Sequence, residues 1–445
     1  MAKKYDVIVV GAGPAGFLAA KAAGENGLEV ALLERKSDPK QLTRACGQTL
    51  VSMNEYYFGD LVGYNNRDKR IFFPVYSFSF KYDGPHRNVY STHIYTPNGH
   101  KIEFGDCEEQ RKKGDYGRVG LTFDKEILFQ CLLEEVTACG VDVFPGINVE
   151  KVTTLGDRVR AEGSGQSFDG AYLIAADGVN SRVAQVMGFN KDRVYYYNFH
   201  ALSWYMSGVE LPERDVFIYT HGFPRGTGAM CFIVPQATEG EYNIIVTTGD
   251  PRLDLEVAVD YFMKRKSCAS WFEKAKKLKA LSAVNNMYSP IVEPYKDRVL
   301  VAGDVGATFE LEITGAMISG WKAGQAISTA VQEENLGLEV TAISLYDNWW
   351  KEIYVNRYEH DPRRMFALLY ALTKEEEIDY VLGLIKDTLP ASWNPGTIGR
   401  TMGEAMGKVI PIIQQERPET FQKLQRASML DEIFTELTKV SKPVQ

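Results

Sequence analysis

The sequence predicts an α/β protein whose first domain, built on a parallel β-sheet, is interrupted by antiparallel strands and followed by a helical region. Three observations support this fold class. A strand–turn–helix–strand unit opens the chain at residues 5–34, and buried strands at 171–176 and 299–302 each lead into a turn that contains an acid. The segments between them alternate apolar and polar residues, as antiparallel strands do. After about Gly320 the pattern becomes helical, with few glycines.

The opening unit carries the pattern G-x-G-x-x-G between an apolar strand and a helix. Gly11 permits the tight turn, Gly13 lets the backbone approach a pyrophosphate, and Gly16 lets helix and strand pack closely. The helix N-terminus then faces the phosphates with unpaired N–H groups. The next strand, residues 29–33, ends at Glu34, whose carboxylate can accept hydrogen bonds from a ribose diol. This spacing predicts a Rossmann-type dinucleotide-binding unit.

Two later segments fit the rest of a bound FAD. Asp177 and Gly178 form a turn after a strand, and Ser181 can cap the next helix. Asp304 follows another strand, where it can bind a ribityl hydroxyl. A helix from about Gly315 can point its N-terminus at the flavin pyrimidine. A dinucleotide motif, a central D-G and a late G-D in this order predict FAD as the cofactor.

Further segments suggest a family. They lie at 44–47 (Arg-Ala-Cys-Gly), 94–99, 123–124 (Phe-Asp), 289–292 and 372–378. Together with the flavin motifs, they resemble the geranylgeranyl reductase family, which belongs to the flavoproteins similar to p-hydroxybenzoate hydroxylase and saturates prenyl double bonds. The family's substrate-cavity motif corresponds to residues 230–235, so the resemblance implies that Phe232, Val234 and Pro235 contact substrate.

The resemblance implies an FAD-dependent oxidoreductase that passes hydride from reduced flavin to a C=C bond of an apolar, isoprenoid-like substrate. Since the sequence shows no second dinucleotide motif, electrons would come from NAD(P)H at the flavin face or from a protein electron donor. Three alternatives stay open: a flavin monooxygenase acting on an aromatic or polyketide substrate, an electron-transfer flavoprotein, and a prenyl-binding carrier.

Three side chains are candidates for catalysis. The resemblance places Cys46 at the flavin, where its thiol could supply a proton. Glu310 and Glu312 lie in the loop expected beside the flavin, where a carboxylate could act as a general acid or bind a polar substrate group. The predicted FAD-binding residues are Gly11, Gly13, Pro14, Ala15, Gly16, Glu34, Arg35, Arg44, Gly47, Arg118, Val149, Asp177, Gly178, Gly303, Asp304, Gly315, Ala316 and Met317.

The domain organisation follows from these placements. The FAD domain is discontinuous, with an inserted antiparallel-β substrate domain and a helical C-terminal region. The predicted pieces are 1–55, 119–190 and 285–330 for the FAD domain, 56–118 and 191–284 for the β-rich substrate domain, and 331–445 for the helices.

Composition excludes several functions. With a net charge of −8 and scattered Lys and Arg, the chain lacks the basic face that nucleic acid requires. Cysteines and histidines show no metal-ligand spacing, and no cysteine follows Cys268, so no metal site or C-terminal iron–sulfur cluster is predicted.

Without a signal peptide or an apolar run of the roughly 18–20 residues that span a bilayer, we expect a cytoplasmic protein. Peripheral membrane association stays open because aromatic residues are abundant.

Overall fold

The computed structural model of the protein describes residues 3–222, 228–306, 312–356, 371–372, 374–426 and 438–444. The strands are β1 Lys4–Val10, β2 Val30–Glu34, β3 Thr49–Val51, β4 Gly63–Asn65, β5 Arg70–Phe73, β6 Phe78–Lys81, β7 His86–Val89, β8 Ser91–Tyr95, β9 Lys101–Phe104, β10 Gly120–Phe123, β11 Asp142–Pro145, β12 Val149–Thr154, β13 Val159–Gly163, β14 Gln166–Ala175, β15 Tyr195–Ser207, β16 Val216–His221, β17 Ala229–Pro235, β18 Glu241–Thr248, β19 Lys276–Tyr288, β20 Tyr295–Lys296 and β21 Val299–Val301. The α-helices are α1 Pro14–Glu25, α2 Cys107–Lys112, α3 Lys125–Ala138, α4 Arg182–Met187, α5 Leu255–Lys264, α6 Glu312–Asn335, α7 Ala342–Trp350, α8 Glu375–Gly383, α9 Pro395–Glu416 and α10 Pro418–Arg426.

A mainly parallel sheet forms the base of the molecule. Its strand order is β11-β2-β1-β14-β13-β12, and β21 pairs with the second half of β14. Strands β11, β2, β1, β14 and β21 run parallel to one another, so their carboxyl ends lie along one edge. Every residue of β2 and of β21 is buried, as expected for strands covered on both faces. This confirms the predicted Rossmann-type core.

Helix α1 packs against α6, and glycines set the distance between them. A Cβ on Gly320 would lie 2.0 Å from the carbonyl oxygen of Ala15, and one on Gly324 would lie 2.4 Å from that of Ala19. Helix α6 begins no later than Glu312, three residues before the predicted start near Gly315. Gly315 therefore lies inside the first turn, where its missing side chain makes room for the ring of Phe58.

A second, seven-stranded sheet has the order β19-β15-β18-β17-β16-β8-β9. Its neighbours are antiparallel except β16 and β8, which are parallel, so the predicted all-antiparallel insertion is in fact mixed. The reason is connectivity: β8 and β16 come from different insertions, and no hairpin fixes their relative direction. Helix α5 covers one face of this sheet with Ala258, Val259 and Phe262.

The C-terminal helices cover the strands β8 and β9. Ile94 and Phe104 share one apolar cluster with Val381 of α8 and Ile413 of α9. The predicted helix over 375–382 is confirmed as α8. Among the described helices, none combines the length and the apolar character needed to cross a membrane.

Candidate functional site

A cavity of about 440 Å³ opens at the carboxyl edge of the parallel sheet. Its walls come from the β1–α1 turn, the end of β2, the segment 41–47, the start of α3, the turn after β14, strand β19 and the start of α6. Open α/β sheets bind ligands at this edge, where strand ends and helix N-termini converge. The volume is that of a pocket for a small molecule or cofactor.

The glycine turn at the start of α1 leaves room for a ligand. Gly11 has a positive φ of +100°, and a Cβ there would lie 2.5 Å from the carbonyl oxygen of Ala176. A Cβ on Gly16 would lie 1.7 Å from the Gly11 carbonyl oxygen, so neither position admits a side chain. At Gly13, a Cβ would meet no described atom within 4 Å. That open side faces the cavity and fits a pyrophosphate at the helix N-terminus.

Glu34 ties the end of β2 to the glycine turn. Its Oε2 accepts a hydrogen bond from the backbone N–H of Ala12 at 2.7 Å, and its Oε1 accepts one from that of Lys36 at 2.8 Å. Each carboxylate oxygen can accept one more bond. Because Glu34 also lines the cavity, the predicted contact with a ribose diol is compatible with this position.

The turn after β14 is organised by Asp177. Its carboxylate accepts bonds from the Ser181 hydroxyl at 2.6 Å and from the backbone N–H groups of Arg182 and Val183 at 2.8 and 3.1 Å. Ser181 caps α4 by accepting a bond from the Ala184 N–H, as predicted. Burial raises the pKa of Asp177, and these hydrogen bonds oppose the rise. Asp177 therefore shapes the cavity wall and caps the helix at once.

The segment Arg44 to Gly47 reaches the cavity because the seven-stranded sheet holds it there. The carbonyl oxygen of Cys46 accepts bonds from Tyr205 Oη at 3.1 Å and Asn243 Nδ2 at 2.9 Å. Arg44 Nη2 donates to the carbonyl oxygen of Val284 at 3.1 Å. Strands β15, β18 and β19 thus hold this segment in place, and β19 itself lines the cavity with Ala283 and Asn285.

The thiol of Cys46 has a cationic neighbour. Lys125 Nζ donates to Cys46 Sγ at 3.3 Å, and the backbone N–H of Gln48 approaches the same sulfur at 3.4 Å. Lys125 is the first residue of α3, which Asp124 caps by accepting bonds from two backbone N–H groups. The sequence did not predict a role for Lys125, although it directly follows the Phe-Asp pair at 123–124.

Two acids that line the cavity have raised pKa values. Removal from bulk water raises the pKa of Asp304 to about 6 and that of Glu312 to about 7. The charge of Asp304 adds to the rise at Glu312, whereas Lys125 lowers the pKa of both groups. Both residues line the cavity and are accessible to water. A bound cofactor would displace this water and enhance the effect.

The structure brings most predicted site residues onto the cavity wall: Gly11, Gly13, Pro14, Glu34, Arg35, Arg44, Cys46, Gly47, Val149, Asp177, Gly178, Asp304, Glu312 and Ala316. A second group lies buried directly behind the wall: Ala15, Gly16, Gly303, Gly315 and Met317. Of these, Gly303 has a φ of +66° and donates its N–H to Ser319 Oγ at 3.0 Å, which fixes the turn before Asp304. Glu310 lies outside the described residues.

Arg118 and the predicted substrate residues lie elsewhere. Arg118 is buried, and its Nη2 donates to the carbonyl oxygen of Tyr64 at 2.9 Å, so the guanidinium supports the first insertion and is not among the residues that line the cavity. Its position before a helix was a weak signal because β10 intervenes. Phe232, Val234 and Pro235 lie in β17, where Phe232 stacks on Phe217 at 5.7 Å and Val234 is buried in the core.

Several cavity residues had no sequence signal of their own. They are Lys36, Lys125, Phe129, Asn180, Arg182 and Asn285. Asn180 and Arg182 belong to the D-G segment and could have been included with it. Asn285 reaches the site from β19, and no local pattern reveals such a contact.

Comparison with known proteins agrees with this geometry. The sequence profile of the FAD binding domain family matches residues 4–58 and 113–307. The chain is 25% identical over 403 residues to the digeranylgeranylglycerophospholipid reductase of Methanosarcina acetivorans, covering 86% of this chain and 89% of that protein. The fold is similar to that of a geranylgeranyl bacteriochlorophyll reductase-like protein from Thermoplasma acidophilum (TM-score 0.68, 17% identity, 96% and 99% covered). It is also similar to that of the halogenase PltM (TM-score 0.62, 12% identity, 99% and 97% covered).

These findings confirm the cofactor predicted from the three motifs and the predicted resemblance to geranylgeranyl reductases. The family match spans both the glycine turn and the G-D turn, each of which contributes residues to the cavity wall. The chain belongs to the FAD binding domain family, and FAD is its cofactor.

Proposed function

We propose that the protein is an FAD-dependent oxidoreductase that reduces C=C bonds of an apolar, isoprenoid-like lipid. The reductase names of its relatives support the reaction class, and digeranylgeranylglycerophospholipid, named in those relatives, is the model for the substrate. Bound FAD, once reduced, would supply the hydride. The chain's own part is to hold the cofactor, orient the substrate and deliver a proton.

The observation that carries this proposal is a group of proton-holding side chains at one end of the cavity. Lys125 donates to the Cys46 sulfur and also lowers the pKa of Asp304 and Glu312, so the four side chains lie within electrostatic reach of one another. Saturating a C=C bond needs one proton for each hydride. Groups whose pKa lies near 6 to 7 can both hold and release that proton near neutral pH.

We infer that the seven-stranded sheet forms the substrate side of the site. Its strands β15, β18 and β19 hold the Arg44 to Gly47 segment against the cavity. Because the proposed substrate is a lipid, we propose that the protein works in the cytoplasm at a membrane surface. NAD(P)H and a protein electron donor are the two proposed sources of electrons.

The test is anaerobic. The flavoprotein is reduced with dithionite and mixed with digeranylgeranylglycerophospholipid, while flavin absorbance is followed by stopped flow and the product by mass spectrometry. We expect fast flavin reoxidation and a lipid heavier by two hydrogens per reduced bond. Slow reoxidation by the lipid, with fast reaction with oxygen and incorporation of labelled oxygen into an aromatic substrate, would point to a monooxygenase. A purified protein without flavin would contradict both and favour a prenyl carrier.

A pair of cysteine variants assigns the thiol. We expect Cys46→Ala to retain FAD and to slow lipid-dependent reoxidation by roughly 10²–10⁴-fold, the range for loss of a general acid. Cys139→Ala is the matched control, because Cys139 ends α3 outside the residues that line the cavity. Equal turnover of the two variants would leave Asp304 or Glu312 as the proton donor.

A further inference from the structure

A buried histidine outside the FAD cavity has no hydrogen-bond partner among the described residues. His93 lies in the middle of β8 with its side chain fully buried, and both Nδ1 and Nε2 are unpartnered. A buried polar group without a partner is costly, and native structures contain few of them.

Two carboxylates converge on this imidazole. Glu103 is the cross-strand partner of His93 in β9, and Glu213 comes from the loop between β15 and β16. Nε2 of His93 lies 3.9 Å from Glu103 Oε2 and 3.7 Å from Glu213 Oε2. One atom from each of the three side chains fits within a 4.8 Å span, and both carboxylates are partly exposed, so an ion could enter from solvent.

A cation already interacts with the two acids. Lys101 Nζ lies 2.9 Å from Glu103 Oε2 and 2.9 Å from Glu213 Oε1, which shows that the site favours positive charge. An ammonium group has donors only, so it satisfies the carboxylates. A metal ion accepts electron pairs, so it would bind the imidazole nitrogen as well as the carboxylates.

We propose that His93, Glu103 and Glu213 bind a divalent transition-metal ion, with Zn²⁺ as its representative. Zn²⁺ takes imidazole nitrogen and carboxylate oxygen at about 2.0–2.2 Å, so tetrahedral ligand atoms lie about 3.4 Å apart. The two distances from His93 to the carboxylates, 3.7 and 3.9 Å, exceed this value by a few tenths of an ångström, and all three ligand atoms lie within 4.8 Å of one another, so binding requires the two glutamate side chains to move inward. Lys101 swings out toward solvent, and water completes the coordination.

The position of the site indicates its role. His93 and Glu103 belong to the first insertion, whereas Glu213 lies just before β16 in the second, and β8 and β16 are the parallel pair that joins the two insertions. The ion would therefore cross-link the two insertions. The three ligands lie outside the set that lines the FAD cavity, so the ion acts on stability and not on the redox chemistry.

The experiment measures Zn²⁺ binding to the chelator-treated, FAD-loaded protein by isothermal titration calorimetry, together with the shift of Tm. We expect one saturable site and a Tm that rises with free Zn²⁺, since an ion that binds the folded state stabilises it. Glu213→Gln keeps the size of the side chain and should weaken binding at least about tenfold, the loss seen even for partners outside the ligand sphere. Glu210→Gln is the control, from the same loop but paired with Lys274.

A gain-of-affinity variant keeps the proposal falsifiable if ligand variants fold poorly. Lys101→Met removes the competing ammonium and should tighten Zn²⁺ binding, whereas a cluster with a purely structural role would only lose stability. Absence of saturable binding by the unmodified protein overturns the proposal. So does equal affinity of the unmodified protein and the Glu213→Gln variant.

Discussion

At the scale of single residues, the proton affinity of the Glu312 carboxylate depends on the fold. Its pKa rises from 4.5 to about 7 because the surrounding protein reduces its solvation and because Asp304 is negatively charged. Between these two values the folded state binds more protons than the unfolded state. The contribution of Glu312 to stability is therefore complete below 4.5, falls as the pH rises to about 7, and is constant above.

Replacing Glu312 by Gln removes this penalty. In the FAD-free protein, the difference in Tm between Glu312→Gln and the unmodified chain should grow in favour of the variant as pH rises from 4.5 to about 7. Thermal unfolding over a pH series measures it. Glu339→Gln, at an exposed loop position after α6, is the matched control. A difference independent of pH at Glu312 as well would show that its carboxylate is solvated.

Residues whose role is set by local geometry were predictable. Gly11, Gly13 and Asp177 were recognised because a turn and its neighbouring strand lie within a few positions of one another. Lys125 was not recognised, because its partner Cys46 lies 79 positions away and only the packing of α3 against the segment 41–47 brings them together. Arg118 shows the converse: a cation at a suggestive position proved to be bound to a backbone carbonyl in another part of the fold.

At the scale of elements, the contact between α1 and α6 controls the cofactor cradle. A Cβ on Gly320 would lie 2.0 Å from the carbonyl oxygen of Ala15, so Gly320→Ala must push α6 away from the N-terminus of α1. We expect a loss of about 1–3 kcal/mol, typical of overpacking, and faster release of FAD. Flavin fluorescence after gel filtration and Tm measure the two effects.

A glycine elsewhere provides the control for Gly320. Gly403 lies in α9, where an added Cβ would meet no described atom within 4 Å. Because alanine favours a helix over glycine, Gly403→Ala should stabilise the protein by up to about 1 kcal/mol and leave FAD binding unchanged. Equal FAD retention and Tm in the two variants would mean that the helices can separate without disturbing the cradle.

The elements themselves were largely readable from the sequence, and their pairing was not. The apolar runs that became β1, β2 and β21 were identified with boundaries close to those observed, whereas the run at 171–176 covers only the second half of β14. The parallel alignment of β8 with β16 had no signal, because it joins strands from two insertions that no short turn connects. The early start of α6 was missed because its first three turns contain Gly315 and Gly320, and glycine has a low helix propensity.

At the scale of the whole molecule, the last described residues attach to the seven-stranded sheet beside the FAD site. Asn286 Nδ2 donates to the carbonyl oxygen of Val444, Asn286 Oδ1 accepts from the Val444 N–H, and Asn198 Nδ2 donates to the carbonyl oxygen of Lys442. Both asparagines are buried, and Asn286 adjoins Asn285 on the cavity wall. The C-terminal segment thus satisfies polar groups that water would otherwise have to reach.

Removing residues 438–445 should therefore weaken FAD binding, although the described residues of this segment do not line the cavity. Loss of these partners leaves buried amide groups unsatisfied, each at a cost of about 1–3 kcal/mol, so we expect a lower Tm and faster dissociation of FAD. Asn286→Ala in the full chain removes the buried amide and leaves the backbone of the exposed Val444 to water, so it should cost less than the truncation. A truncated protein with unchanged Tm and FAD release would show that water replaces the segment freely.

The order of strands in the parallel sheet has a consequence for synthesis. Neighbours β1 and β14 are separated by more than 150 positions, and β21 completes the cavity edge only at Val301. Because a chain emerges from the ribosome N-terminus first, the strand–turn–helix unit at residues 4–25 must wait while both insertions are translated. Nascent chains released before about residue 320 should therefore fail to retain flavin, however complete their glycine turn is.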